Sequence, residues 1–188
     1  MTNWLTGPLS RAKKRAVSPR FWLKSLRDLL IFATVLYAIS SYLQRDMLTG
    51  TAFPINSPLI DGREVSFFYP RQQSSTDKAT LVYFWGTWCP VCKVTSPMVN
   101  SVANTQNYRV ISVAVASGSN ADIGTFMQQH NYQFDVINQL AEDNLSQQWG
   151  ATALPSIFII DNKNQIRFMT SGATSRWGMS LRLWLAST

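Results

Sequence analysis

Trp88-Cys89-Pro90-Val91-Cys92 holds the only two cysteines of this 188-residue chain. Two thiols separated by two residues can reach one another and close a small disulfide ring. The apolar run Leu81-Val82-Tyr83-Phe84-Trp85 comes directly before the motif, and apolar residues at helical spacing follow it. The pair therefore stands where a strand gives way to a helix. Aligned N–H groups at a helix N-terminus favour the thiolate of Cys89, the form that attacks another disulfide. Cys92, one turn further in, would resolve the mixed disulfide. Pro90 and Val91 put no charged or hydrogen-bonding side chain between the sulfurs, so the motif does not set the direction of electron flow.

Other chemistries for a cysteine pair make demands that the sequence can be held to. A structural zinc needs four N or S ligands, but His130 is the only histidine and there is no second CxxC. A structural staple closing so short a loop restricts the unfolded chain little. Two thiolates can hold copper(I), and this stays open as a second reading, although Met98, Met127, Met169 and Met179 are scattered and better read as core filling. A peroxide reductase would call for a T-x-x-C pattern that is missing. No dissociable cofactor is implied, only the redox-active disulfide Cys89–Cys92. His130, at a predicted helix end, reads as solvent-exposed or as compensating the helix dipole. Of the two flanking tryptophans, one belongs to the core, and Trp88, next to Cys89, is the better candidate for contact with partners.

The charge is divided unevenly. Before residue 29 there are seven basic residues (Arg11, Lys13, Lys14, Arg15, Arg20, Lys24 and Arg27) against Asp28, which is +6 of the total +7. The remainder is nearly neutral, so a basic surface for nucleic acid would have to lie on the tail alone. That tail runs into Leu29–Leu43, 15 residues without a charge, where about 20 span a bilayer comfortably. Lys24, Arg27 and Arg45 could snorkel from either end, and Trp22, Tyr37 and Tyr42 include candidate interfacial anchors. The reading adopted is a basic cytoplasmic leader over 1–28, a transmembrane signal anchor over 29–45, a linker over 46–58 and a folded domain over 59–188. A cleaved signal peptide, with Ala38 and Ser40 near the cut, and a buried core helix are the rivals. The basic cluster keeps the N-terminus inside and exports the domain, as a single-pass membrane protein.

Along the exported part, Pro58–Phe67 reads as a hairpin turning at Asp61-Gly62. Arg71–Lys78 reads as a loop. Thr80–Phe84 is a strand buried on both faces. A helix is predicted from Cys89 to about Asn104, with Pro97 inside it and a kink there. Arg109–Ala116 is a strand, Ala121–His130 a helix capped by Ser119 or Asn120, and Phe134–Ile137 a short strand. A short helix over Glu142–Trp149 closes at Gly150. Leu154–Asp161 is a strand with a proline at its head, and Gln165–Thr170 is another. The final helix, Ser175–Ala186, carries Trp177, Leu181, Trp184 and Leu185 on one face, expected to close the domain. The order gives an α/β sandwich with a mixed central sheet flanked by helices.

FWGTWCPVCK, with Pro97 five residues after Cys92, and LPSIFIID followed by Asn162-Lys163-Asn164 resemble the thioredoxin fold from roughly Phe53 to the C-terminus. The N-terminal hairpin, the extra helix and strand after Asn120 and the anchor are similar to its membrane-tethered periplasmic branch, typified by TlpA and the cytochrome c maturation thioredoxins. Within it, CPVC and the short leader look most like the suppressor-of-copper-sensitivity D subgroup. This resemblance implies a monomeric protein thiol:disulfide oxidoreductase in the periplasm, with protein thiols and disulfides, a membrane electron donor and a periplasmic client as partners. It also implies a cis bond at Leu154-Pro155, packed beside the cysteines, with the Leu154 backbone pairing with an incoming peptide. Trp88, Pro90, Val91, Leu154 and Pro155 are then the substrate-binding residues. Two departures stand out. Thioredoxin carries an acid six residues before its first cysteine, where this chain has Tyr83, and many cytochrome maturation members carry a glutamate where this chain has Thr95. The proton acceptor for Cys92 would have to be water or an acid from elsewhere, such as Glu64 or Asp161.

Overall fold

A computed structural model of the chain describes residues 19–44, 47–68, 78–140 and 143–188. Two compact units emerge, Met1–Tyr42 and Leu43–Thr188. The described part of the first is helix α1 (Pro19–Gln44), and its side chains from Trp22 to Ile39 are all exposed. Pro19 suits a first helical position, where no intrahelical N–H is needed. Among the described residues no helix is long and apolar enough to cross a membrane. That differs from the transmembrane helix expected over 29–45. The helix starts earlier and takes in Lys24 and an Arg27–Asp28 ion pair at 2.8 Å, and these charges limit the apolar stretch. The basic leader as far as residue 18, and the loop expected over 71–78 apart from Lys78, lie outside the described residues.

The second unit is built on a six-stranded sheet in the order β1 (Gly50–Thr51), β8 (Gln165–Ser171), β7 (Ser156–Ile160), β4 (Thr80–Trp85), β5 (Arg109–Val115) and β6 (Asp135–Gln139). β4, β5 and β6 run parallel, while β7, β8 and β1 join antiparallel, so the sheet is mixed. β2 (Ile55–Pro58) and β3 (Glu64–Phe67) form the separate hairpin. Its turn is at Asp61-Gly62, with Gly62 at φ 87° donating its N–H to the Leu59 carbonyl at 2.9 Å. Glycine accepts that left-handed conformation without a steric penalty. The stretch read as a linker over 46–58 is largely domain: it contains β1 and β2, and Met47, Ala52 and Ile55 are buried.

All six residues of β4 and all five of β7 are buried, as expected of strands covered on both faces. Side chains alternate between the faces. Leu81, Tyr83 and Trp85 point to a core shared with α2 (Pro90–Ala103), α3 (Asn120–Gln129) and α5 (Arg176–Ala186). Val82 and Phe84 point to a core with Trp149, Phe158 and the hairpin residues Ile55 and Leu59, beside the short α4 (Leu145–Gln148). One expectation about packing is reversed. Met179, Leu183 and Ala186 are the buried residues of α5, while Trp177, Leu181, Trp184 and Leu185 are exposed. A periodic apolar stripe marks a helix face but does not say that the face is covered, and the smaller residues opposite turn out to be the ones packed against the sheet.

Candidate active site

β4 ends at Trp85, and Gly86-Thr87-Trp88 make the turn into α2, so the motif opens at one end of the sheet. The turn is held against the end of β5. Trp88 Nε1 donates to the Val115 carbonyl at 3.2 Å, and the Thr87 N–H donates to Ser117 Oγ at 3.1 Å. The parallel register of β4 with β5, which sets Trp85 against Ala114, brings these segments side by side. Gly86 makes room for the indole: a Cβ there would lie 2.8 Å from Trp88 Nε1. Trp85 is the core tryptophan, fully buried, with its N–H on Ser112 Oγ at 3.1 Å, whereas Trp88 is 58% exposed beside the motif.

Cys89 is the N-cap of α2 and Pro90 its first residue. Cys89 and Cys92 are joined as a disulfide, and Cys89 Sγ accepts the Cys92 N–H at 3.2 Å. A helix N-terminus leaves its first N–H groups without intrahelical partners, and one of them here is aimed at sulfur. This is the contact that would hold a Cys89 thiolate in the reduced protein. Cys92 is 1% and Cys89 4% exposed, so both residues are buried and Cys89 slightly less so.

The other wall comes from the head of β7. The Leu154–Pro155 bond is cis, and the Leu154 carbonyl lies 3.8 Å from Cys89 Sγ. Pro155 is buried and Leu154 half-buried, while Pro90, Val91 and Trp88 are exposed around the sulfurs. The structure thus brings Trp88, Cys89, Pro90, Val91, Cys92, Leu154 and Pro155 to one place.

Behind Cys92 lies a group that the sequence flagged only as a departure. Tyr83 is fully buried, with its hydroxyl 2.9 Å from Ser96 Oγ and 3.4 Å from the Cys92 carbonyl oxygen. Burial pushes its phenol pKa well above the ordinary value, although the Ser96 hydrogen bond opposes this. Ser96 could have been noticed from its spacing, one helical turn after Cys92. Ser117 gave no signal, because its role depends on strand pairing. Thr95, also buried, donates its hydroxyl to the Val91 carbonyl at 3.1 Å. Asp161 stands at the end of β7 away from Pro155, bonded to the N–H groups of Lys163 and Gln165, and Glu64 is exposed in the hairpin. Neither is placed to serve Cys92. His130 is exposed, its Nδ1 2.9 Å from the Phe126 carbonyl oxygen and its ring stacked on Phe126. Among the described residues no group of three or more histidine, cysteine or acidic side chains could hold a metal ion.

Residues 58–169, which contain the motif, the cis-proline and most of the sheet, match the model of the AhpC/TSA family. The chain belongs to that family. It is 31% identical over 164 residues to a thioredoxin-like protein of Haemophilus influenzae, a match covering 87% of this chain and 94% of the other. It is 29% identical over 108 residues to the thiol:disulfide interchange protein DsbE of Xylella fastidiosa, covering 56% of this chain and 54% of that one. The chain therefore spans nearly all of the first relative and about half of the second. A solved thioredoxin-family thiol:disulfide interchange protein from Chlorobium tepidum superposes with a TM-score of 0.62 at 21% identity, over 76% of this chain and 99% of that chain. The central sheet and its helices are thus a thioredoxin fold. Within the AhpC/TSA family the T-x-x-C pattern of a peroxide reductase is still lacking, since Gly86 stands three residues before Cys89.

Proposed function

We propose that the chain is a protein thiol:disulfide oxidoreductase in which Cys89 exchanges with partners and Cys92 resolves. The observation that carries this is the disulfide at the start of α2, with Cys89 Sγ accepting a helix N-terminal N–H and lying next to the Leu154 carbonyl. In the reducing direction the Cys89 thiolate attacks a client disulfide, forming a mixed disulfide and releasing one client thiolate. The Cys92 thiolate then attacks Cys89 Sγ, releasing the second and leaving the Cys89–Cys92 disulfide. Two electrons have passed to the client, and the reverse sequence oxidises it. Trp88, Pro90 and Val91 on one side and Leu154 and Pro155 on the other frame the approaching chain, with the Leu154 backbone as the partner for an extended peptide. The names of the relatives support this reading, and no observation favours copper(I) over it.

The proposal extends to placement: a monomeric domain exported to the periplasm and held at the inner membrane by the 29–45 segment. It would work between a membrane electron donor and a periplasmic client, without a dissociable cofactor and without nucleic acid. Supporting it are the basic leader, the uncharged stretch with its exposed side chains, and the likeness of CPVC and the leader to the suppressor-of-copper-sensitivity D subgroup. Expression of Cys92→Ser should trap mixed disulfides through Cys89, visible on non-reducing gels, and Cys89→Ser should abolish both trapping and turnover. Equal alkylation rates for the two thiols of the reduced protein would overturn the roles. The reduction potential then fixes the direction of flow: near −270 mV, as for thioredoxin, a reductant; near −120 mV, as for DsbA, an oxidant. Extraction of the chain from membranes by alkaline carbonate would overturn the anchor.

A further inference from the structure

The exposed stripe on α5 has a composition that the redox site does not use. Trp177 is 85% exposed, Leu181 57%, Trp184 56% and Leu185 42%. They follow one another at four, three and one residues, so they share one side of the helix, opposite the buried Met179, Leu183 and Ala186. Arg176 is exposed at the first position of the helix, and Arg182, half-buried, donates to Thr170 Oγ1 at 2.6 Å. The charge of the chain segment that carries it is lopsided. After Asp161 the chain has four basic residues (Lys163, Arg167, Arg176 and Arg182) and no acid, whereas residues 29–161 have six basic and nine acidic. The C-terminal segment is thus +4 on a domain that is otherwise −3.

We propose that this face of α5 docks on an anionic lipid surface. Two tryptophans and two leucines on one side of a convex helix offer no pocket or knob of the kind that a protein partner matches by shape. A bilayer interface asks for no such match. It accepts amphipathic indoles at the headgroup level, leucine in the upper acyl region and flanking arginines against lipid phosphates. The net positive charge of the C-terminal segment, with Arg176 exposed at the start of α5, selects an anionic surface over a neutral one. A second copy of the chain would bring the same cations together. Docking does not require α1 to span the membrane.

The test uses the full chain with Cys89→Ser and Cys92→Ser and a single new cysteine, Leu181→Cys or, on exposed α3, Gln128→Cys, each carrying an environment-sensitive fluorophore. Reconstituted in vesicles of phosphatidylcholine with phosphatidylglycerol, the label at 181 should shift to the blue and brighten severalfold. The label at 128 should not. Phosphatidylcholine alone should give a much smaller change at 181, and added salt should reduce the effect. A second measurement avoids the labels: brominated lipids should quench tryptophan emission of the wild-type chain more than that of Trp177→Ser/Trp184→Ser. An aqueous spectrum at 181 on anionic vesicles would overturn the proposal, as would equal shifts at both positions, equal shifts on both lipids, or a shift that grows with protein density and so reports a second copy.

Discussion

Tyr83 occupies the position where a thioredoxin would carry an acid, and its surroundings show what the exchange does to the chemistry. A buried carboxylate there could take the proton of the resolving thiol, but a phenol whose pKa is pushed up by burial stays protonated. Its hydroxyl instead bridges Ser96 and the Cys92 carbonyl, fixing the first turns of α2 against β4. Loss of the Cys92 proton should therefore follow the thiol alone, without a carboxylate inflexion at low pH. Tyr83→Phe should leave the pH profile of Cys92 alkylation in place while costing roughly 1 kcal/mol of stability, since Ser96 loses a buried partner. A profile displaced by the substitution would mean that the hydroxyl acts on the proton after all. Gly86→Ala addresses the other side of the motif. The added methyl meets the indole of Trp88, so the Nε1 bond to Val115 should break and partner exchange should slow, with the protein still folded by circular dichroism.

Capping decides where α3 begins, and there the elements can be compared with what their sequence announced. Ser119 Oγ accepts the Asp122 N–H at 3.2 Å while Asp122 Oδ2 accepts the Ser119 N–H at 2.9 Å, a reciprocal box. Ser119→Ala should cost about 1 kcal/mol. The Ser119 hydroxyl, which donates to Asp122 Oδ2 at 2.7 Å, and then the Ser119 N–H hold the Asp122 carboxyl below its ordinary 3.8. A carboxyl depressed in the folded state adds stability above its unfolded pKa and loses it as the pH falls through the folded value. The stability gap between the wild type and Asp122→Asn should thus be present at neutral pH and close in acid, as read by urea unfolding at each pH. This helix, the strands β4, β5, β7 and β8 and the position of Cys89 at a helix start were all legible, because caps, β-branched runs and a buried apolar strand are local signals. What was not legible depends on long-range packing. The stripe of α5 was visible but not the side that the sheet would cover. The strands β1 and β2 hid in a stretch whose prolines suggested a tether, and the contact of Ser117 with Thr87 arises only when β4 and β5 pair.

At the scale of the whole molecule, the boundary of the folded unit is the sharpest departure from the sequence reading, and it can be tested by truncation. The segment ahead of the hairpin is tied to the domain at several points. Met47 and Ala52 are buried, the Leu48 N–H donates to the Trp149 carbonyl at 3.0 Å, the Ala52 N–H to the Asn164 carbonyl at 2.8 Å, and β1 pairs with β8. Burial of a methionine side chain stabilises by about 1.5–3 kcal/mol, and each backbone hydrogen bond adds roughly 0.5–1.5 kcal/mol. Together these make several kcal/mol, a large share of the 5–15 kcal/mol typical of a domain. The unit Leu43–Thr188 has its own two-sided core. A chain starting at Leu43 should therefore unfold in urea at the same midpoint as the full chain in detergent. One starting at Phe53 lacks Met47, Ala52 and β1, and its midpoint should fall sharply or the protein should not accumulate folded. If the Phe53 version instead matched the Leu43 version, residues 47–52 would be the linker that the sequence reading made them, and the sheet would end at β8.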